Sequence, residues 1–153
     1  MIRKRQSMKR KAAKKLLAGL SGTFSDLQAG KVETAKFEDK ELYLFDESIE
    51  FVKDENGIYP FLGGSYLDSI PKVVVDMGAI RFVCNGADVM APGITEIGSF
   101  DEGDLVVIRD INHGKALAIG IANKSSADIE ASKKGKVIKN LHYVGDKLWG
   151  AVS

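Results

Sequence analysis

Apolar and polar positions alternate along this chain in short blocks, and the period changes once near the start. Ala12, Ala13, Leu16, Leu17 and Leu20 recur at helical spacing, which predicts one apolar helix face with Lys and Arg opposite. The predicted helix runs from about Met8 to Ala18, with Ser7 as its N-cap and Gly19 or Gly22 ending it. Strand-like runs follow at residues 31–37, 41–45 and 48–52. The turn signal Asp54-Glu55-Asn56-Gly57 then introduces a strand over 58–62, which Pro60 assigns to a sheet edge. Gly63-Gly64 breaks the pattern, and a boundary is expected near Ser69-Ile70-Pro71.

Beyond that boundary, Lys72-Val73-Val74-Val75 reads as a buried strand. Asp76 is placed to cap a short helix over Met77–Cys84, with Gly86 ending it. Further strands are expected at 105–109, 115–122 and 137–143, with Gly103-Asp104 and His113-Gly114 in the turns. The fold class is therefore α+β. A small α+β domain over residues 1–70 precedes a mostly β, partly closed barrel over 71–153.

Composition changes this picture only where charge is concerned. The net charge of +1 conceals an asymmetry: residues 1–15 hold eight basic side chains and no acidic one. The other 14 basic residues face all 21 acidic ones, so the body carries −7. A docked basic helix of this kind suits a polyanion, with Lys11, Lys14 and Lys15 as candidate phosphate contacts. No apolar run reaches the length of a membrane span, and the basic N-terminus has no signal-peptide core, so a cytoplasmic protein with no membrane partner is expected. The single cysteine, Cys84, shares apolar spacing with Ile80 and Val83 and is expected to be a reduced, buried thiol.

Catalytic chemistry finds little support. His113 and His142 are the only histidines, and no metal-binding, phosphate-loop or nucleophile-elbow spacing occurs. A Cys84–His142 dyad is disfavoured by the expected burial of the thiol. No cofactor is called for. The stretch Asn85–Ile94 holds more promise: Pro92 and Gly93 fit the two central positions of a type II turn, and Arg81 is the one cation of the preceding helix. Small residues beside an arginine let a sugar-phosphate backbone or a splayed base approach the main chain. On residue type alone, a purely turn-shaping role is favoured.

An ordered set of landmarks shifts that balance. Val73–Ala79, Gly86–Ile94, Gly103-Asp104, Ala118-Ile119-Gly120, Lys134-Gly135-Lys136 and Gly145–Trp149 resemble, in order, those of a PUA domain. Ser7–Leu17, Val32–Asp39 and Gly57–Pro60 resemble the pre-PUA domain of the malignant T-cell-amplified sequence family, and the chain looks like a compact archaeal member. The resemblance implies RNA binding in the groove beside the barrel's first helix. By position it points to Arg81, Gly86, Ala87, Asp88, Met90, Pro92 and Gly93, with Lys136 and Lys139 on the closing strand. His142 and Trp149, placed on that strand, are candidates for base stacking, although a core position is favoured for the tryptophan. The implied partners are tRNA or small-subunit rRNA, with the small ribosomal subunit or a translation factor. The expected function is a non-catalytic translation accessory protein. The alternative is a subunit that delivers RNA substrates to a separate modifying enzyme.

Overall fold

A computed structural model of the chain describes residues 1–152, which divide into two compact units, Met1–Ser69 and one beginning at Ile70. In the first, β1 (Ile2–Ser7), β2 (Val32–Phe37), β3 (Lys40–Phe45), β4 (Ser48–Asp54) and β5 (Gly57–Pro60) form an antiparallel sheet in sequence order. Pro60 indeed lies on the edge strand, where its missing N–H costs no ladder bond. Leu42, Phe51, Val52 and Tyr59 are wholly buried, and Phe24 meets Phe51 edge-on at 4.8 Å. Helix α1 spans Arg10–Leu20 and directs Leu20 into this core.

Two expectations fail here. Ser7 does not cap α1: it ends β1, opposite Glu33, and the helix begins after Lys9 with no side-chain cap. The basic run before it is a strand because β2 supplies partners that local sequence does not reveal. Arg5 grips the buried Glu33 carboxylate through two hydrogen bonds of 2.9 Å. Gly19 does not end the helix either. It lies inside α1, and Ser21 closes the last turn by donating from its backbone to Leu17 and from its hydroxyl to Ala18.

The second unit holds β6 (Lys72–Val75), α2 (Met77–Val83), β7 (Val89–Met90), β8 (Ile94–Ile97), β9 (Leu105–Asp110), β10 (Ala116–Ala122), α3 (Ser126–Ser132), β11 (Lys136–Tyr143) and α4 (Lys147–Val152). Its sheet runs β7-β11-β10-β9-β6-β8, with β6 parallel to β9. The two edges, β7 and β8, are consecutive in the chain and joined only by the 3₁₀ turn Ala91–Gly93. The sheet therefore curls until its edges nearly meet, which makes the expected barrel. Val73, Val75, Val106, Ile108, Ala118, Val137 and Ile138 fill it.

Four elements go beyond the sequence pattern: β7, β8, α3 and α4. Helix α4 changes one assignment, since Trp149 sits half-buried on it rather than on a closing strand. His142, on β11, is only 1% exposed and cannot stack on a base. Its Nδ1 lies 2.7 Å from Asp146, which also accepts the backbone N–H groups of Tyr143 and Trp149 and so caps α4. Burial pushes the Asp146 carboxyl upward, but the His142 hydrogen bond and charge and the two amides outweigh it, holding the group below the usual carboxylate range.

Two outcomes follow from this packing. A Cβ on Gly120, at a bulge of β10 against β11, would lie 2.5 Å from Ile138 and 2.7 Å from the Lys139 carbonyl. Gly120→Ala should cost roughly 1–3 kcal/mol in urea melts, as overpacking does. Asp146→Ala should cost about 2 kcal/mol at neutral pH, by loss of the cap and of the charge-assisted bond. Because the folded pKa of Asp146 is depressed, its contribution is present above the unfolded value, about 3.9, and is lost as pH falls through the folded one. The gap between native protein and variant should narrow below about pH 4 in melts followed by circular dichroism.

Candidate functional site

Helix α2 and the turn at the barrel seam are built against each other. The Asp76 carboxylate caps α2 by accepting from Ala79 N–H at 3.0 Å, while Asp76 N–H donates to the Gly93 carbonyl at 2.9 Å. Val83 turns inward at 2% exposure, and Ala79 and Ile80 pack on the core. Phe82 falls off that apolar stripe and is 56% exposed. The chain leaves the helix through Gly86, whose φ of 91° favours glycine and whose Cβ, if present, would lie 3.0 Å from the Tyr143 ring.

The segment after Gly86 is held by Asn140, a residue that no sequence motif singles out. Its side-chain amide donates to the carbonyls of Val83 and Ala87 at 3.1 and 3.0 Å, and its backbone N–H donates to Asp88 at 3.0 Å. Its own Oδ1 is buried and has no partner among the described residues. Asp88 thus ties the loop to β11. The next residues pair with β11 directly, placing Val89 opposite Ile138 and Met90 opposite Lys136. Residues 91–93 form a 3₁₀ turn with Pro92 near its start, not the expected type II turn, and Gly93 does not take a positive φ. Gly93 is small for another reason: a Cβ there would come within 3.1 Å of Ala79.

Between α2 and this turn lies an open groove of about 710 Å³. It brings together Gly86, Ala87, Asp88, Met90, Pro92, Gly93 and Lys136, with Phe82, Asp76 and Gly78. Arg81 and Lys139 do not line it. The Arg81 guanidinium instead lies 5.1 Å from the centre of the Phe82 ring. Lys136 is the one cation of the lining, and both acids are engaged by backbone amides. Phe82 and the 47% exposed Met90 supply an aromatic and a soft apolar surface. Sequence offered one signal for Phe82, namely that it breaks the Ile80–Val83–Cys84 stripe.

The catalytic alternatives gain nothing in geometry. Cys84 is only partly buried, and burial raises its thiol against a weaker opposing pull from Lys115, so the thiolate is disfavoured. Among the described residues, no three His, Cys, Asp or Glu side chains gather as a metal site.

The profile of the PUA domain matches residues 71–144. An uncharacterized protein of Methanocaldococcus jannaschii is 44% identical, over 97% of this chain and 96% of its own length. Translation machinery-associated protein 20 of Saccharomyces cerevisiae is 36% identical, over 78% of this chain and 71% of its own. Malignant T-cell-amplified sequence 1-B of Xenopus laevis is 38% identical over 67% of this chain, which spans 60% of that relative. The crystal structure of a hypothetical protein from Pyrococcus horikoshii matches with a TM-score of 0.85 at 31% identity, covering 98% of this chain and all of that one. One chain of an H/ACA ribonucleoprotein bound to a substrate RNA matches 61% of this chain with a TM-score of 0.50 at 26% identity, through 29% of its own length. The chain therefore belongs, as an archaeal-type member, to the PUA-domain family that includes translation machinery-associated protein 20 and the malignant T-cell-amplified sequence proteins.

Proposed function

We propose that this RNA-binding, translation-associated protein acts without catalysis, holding tRNA or small-subunit rRNA through the groove between α2 and the barrel seam. The observation that carries the reading is the make-up of that groove. A surface with one lysine, two engaged carboxylates, an exposed phenylalanine and an exposed methionine suits an unpaired base better than a run of phosphates. Gly86, Ala87, Pro92 and Gly93 keep the walls low enough for close backbone approach, and Lys136 meets a phosphate flanking the base. Asp88 acts through the loop it fixes. Arg81 and Lys139 serve the strand as it leaves the groove. The exposed Lys11, Lys14 and Lys15 of α1 add charge attraction. The small ribosomal subunit or a translation factor is the proposed setting. The likeness to a ribonucleoprotein chain favours one alternative, delivery of RNA to a separate modifying enzyme.

Phe82→Leu removes an exposed ring and should leave folding intact. Base–aromatic stacking contributes about 1–3 kcal/mol, so affinity for unpaired RNA should fall roughly 5- to 100-fold. Phe82→Trp should preserve it, and an oligonucleotide carrying 2-aminopurine should lose its quenching only with leucine. Unchanged binding by Phe82→Leu would remove the base from this groove. Co-sedimentation with small subunits supports the translation role, whereas a stable complex with an RNA-modifying enzyme favours the alternative. Chemical turnover of RNA by the purified protein alone would overturn the non-catalytic reading.

A further inference from the structure

The first unit has a second concavity, of about 350 Å³, where the β1–α1 turn, the first two turns of α1 and the segment leading into β2 meet. Arg10, Lys14 and Lys31 line it beside Ser7 and Gly30, over an apolar floor that includes Met8 and Leu17, and among the described residues no acidic or aromatic side chain lines it. We infer that this is a phosphate-binding cradle in which Arg10, Lys14 and Lys31 hold a backbone phosphate of RNA. The inference rests on the reading of the protein as RNA-binding but not on the groove in the other unit.

The cations of this unit fall into two groups. Arg5 is committed to the fold through its paired bonds to Glu33, and Arg3 donates to the Glu38 carbonyl. Arg10 and Lys14 are exposed and have no ion pair or hydrogen bond among the described residues. They stand at i and i+4, one above the other on α1, where like charges repel and weaken a helix by a few tenths of a kcal/mol. They also lie in its first turns, where the dipole disfavours positive charge, and no acid compensates there. Helix stability therefore does not explain them. An anion between them turns both penalties into attraction.

Lys31 completes the cradle from the opposite wall. Its backbone N–H and that of Gly30 donate to the Asp46 carboxylate at 2.8 and 3.1 Å, so the segment is fixed from behind by an acid that does not line the cavity. Its ammonium is 3.7 Å from Glu33, a long approach to a carboxylate that Arg5 already grips, and its side chain is 54% exposed. Turning toward an anion would exchange this long ion pair for a shorter one, and Arg5 would keep Glu33 paired. Lys11 and Lys15 occupy the neighbouring row of α1 and do not line the cavity. A site with three cations and no ring fits a phosphodiester better than a stacked base.

The test compares two variants that each remove three charges: Arg10→Gln/Lys14→Gln/Lys31→Gln in the cradle and Lys4→Gln/Lys9→Gln/Lys53→Gln outside it. All six residues are exposed, and folding is checked by circular dichroism. Affinity for one unpaired RNA is measured across a salt series in the native and Phe82→Leu backgrounds. The cradle variant should lower the salt slope by about 0.7 for each phosphate it no longer neutralises, in both backgrounds, and the control by less than half as much. Equal reductions in the two variants, or an unchanged slope in the cradle variant, would overturn the proposal whatever Phe82→Leu does. Amide shifts of Gly30 and Lys31 add a second readout. RNA should move them at concentrations where inorganic phosphate does not. Saturation by phosphate alone would reassign the cradle to a free anion and overturn the RNA assignment.

Discussion

The seam of the barrel is the constraint on which the second unit depends. Because β7 and β8 are opposite edges of one sheet yet adjacent in the chain, only Ala91–Gly93 can carry the backbone from one to the other. Three residues in 3₁₀ geometry rise about 6 Å, so the edges must come within little more than one strand spacing. The turn is then pinned three ways. Ala91 N–H donates to the Gly135 carbonyl, the Gly93 carbonyl accepts from the first residue before α2, and Gly93 packs so closely on α2 that a Cβ there would come within 3.1 Å of Ala79. Closing the barrel thus fixes both walls of the groove at once.

Charge is divided in the same spirit. Part of the acidic excess of the body is turned inward onto backbone amides. Asp76 and Asp146 cap helices, Asp88 holds a loop, and Asp110 accepts from His113 and Lys115 N–H groups. Those backbone bonds, His113 foremost, hold the Asp110 carboxyl below its usual range despite burial. Most of the N-terminal cations have no such employment. A chain of net charge +1 therefore keeps a local basic excess in residues 1–15, which hold eight basic side chains and no acidic one.

What was legible in the sequence was local. The Asp76 cap, the edge placement of Pro60 and most strand runs depend on neighbours within a few residues, and each stands where the pattern put it. The errors were non-local. Arg3 to Ser7 looks like the approach to a helix until Glu33 and the rest of β2 arrive thirty residues later. Trp149 looks like the end of a strand because a six-residue helix has no periodicity to read, and its cap is shared with a histidine on β11. The candidate site was half legible. Seven of its nine residues line one groove, but Phe82 was hidden in an apolar run and Asn140 acts through carbonyls that no spacing announces.

The two proposed binding sites are unlike, and the difference decides what kind of RNA the protein would prefer. Stacking on Phe82 is available to any base, so the groove selects little by sequence. It does require a base free to leave its neighbours, which costs least at an end, a bulge or a loop. The cradle selects still less, since every nucleotide offers a phosphate. Neither site alone distinguishes one single strand from another. Such chemistry selects RNA by where it is unpaired rather than by what it spells, and sequence preference then has to come from a partner that presents the strand.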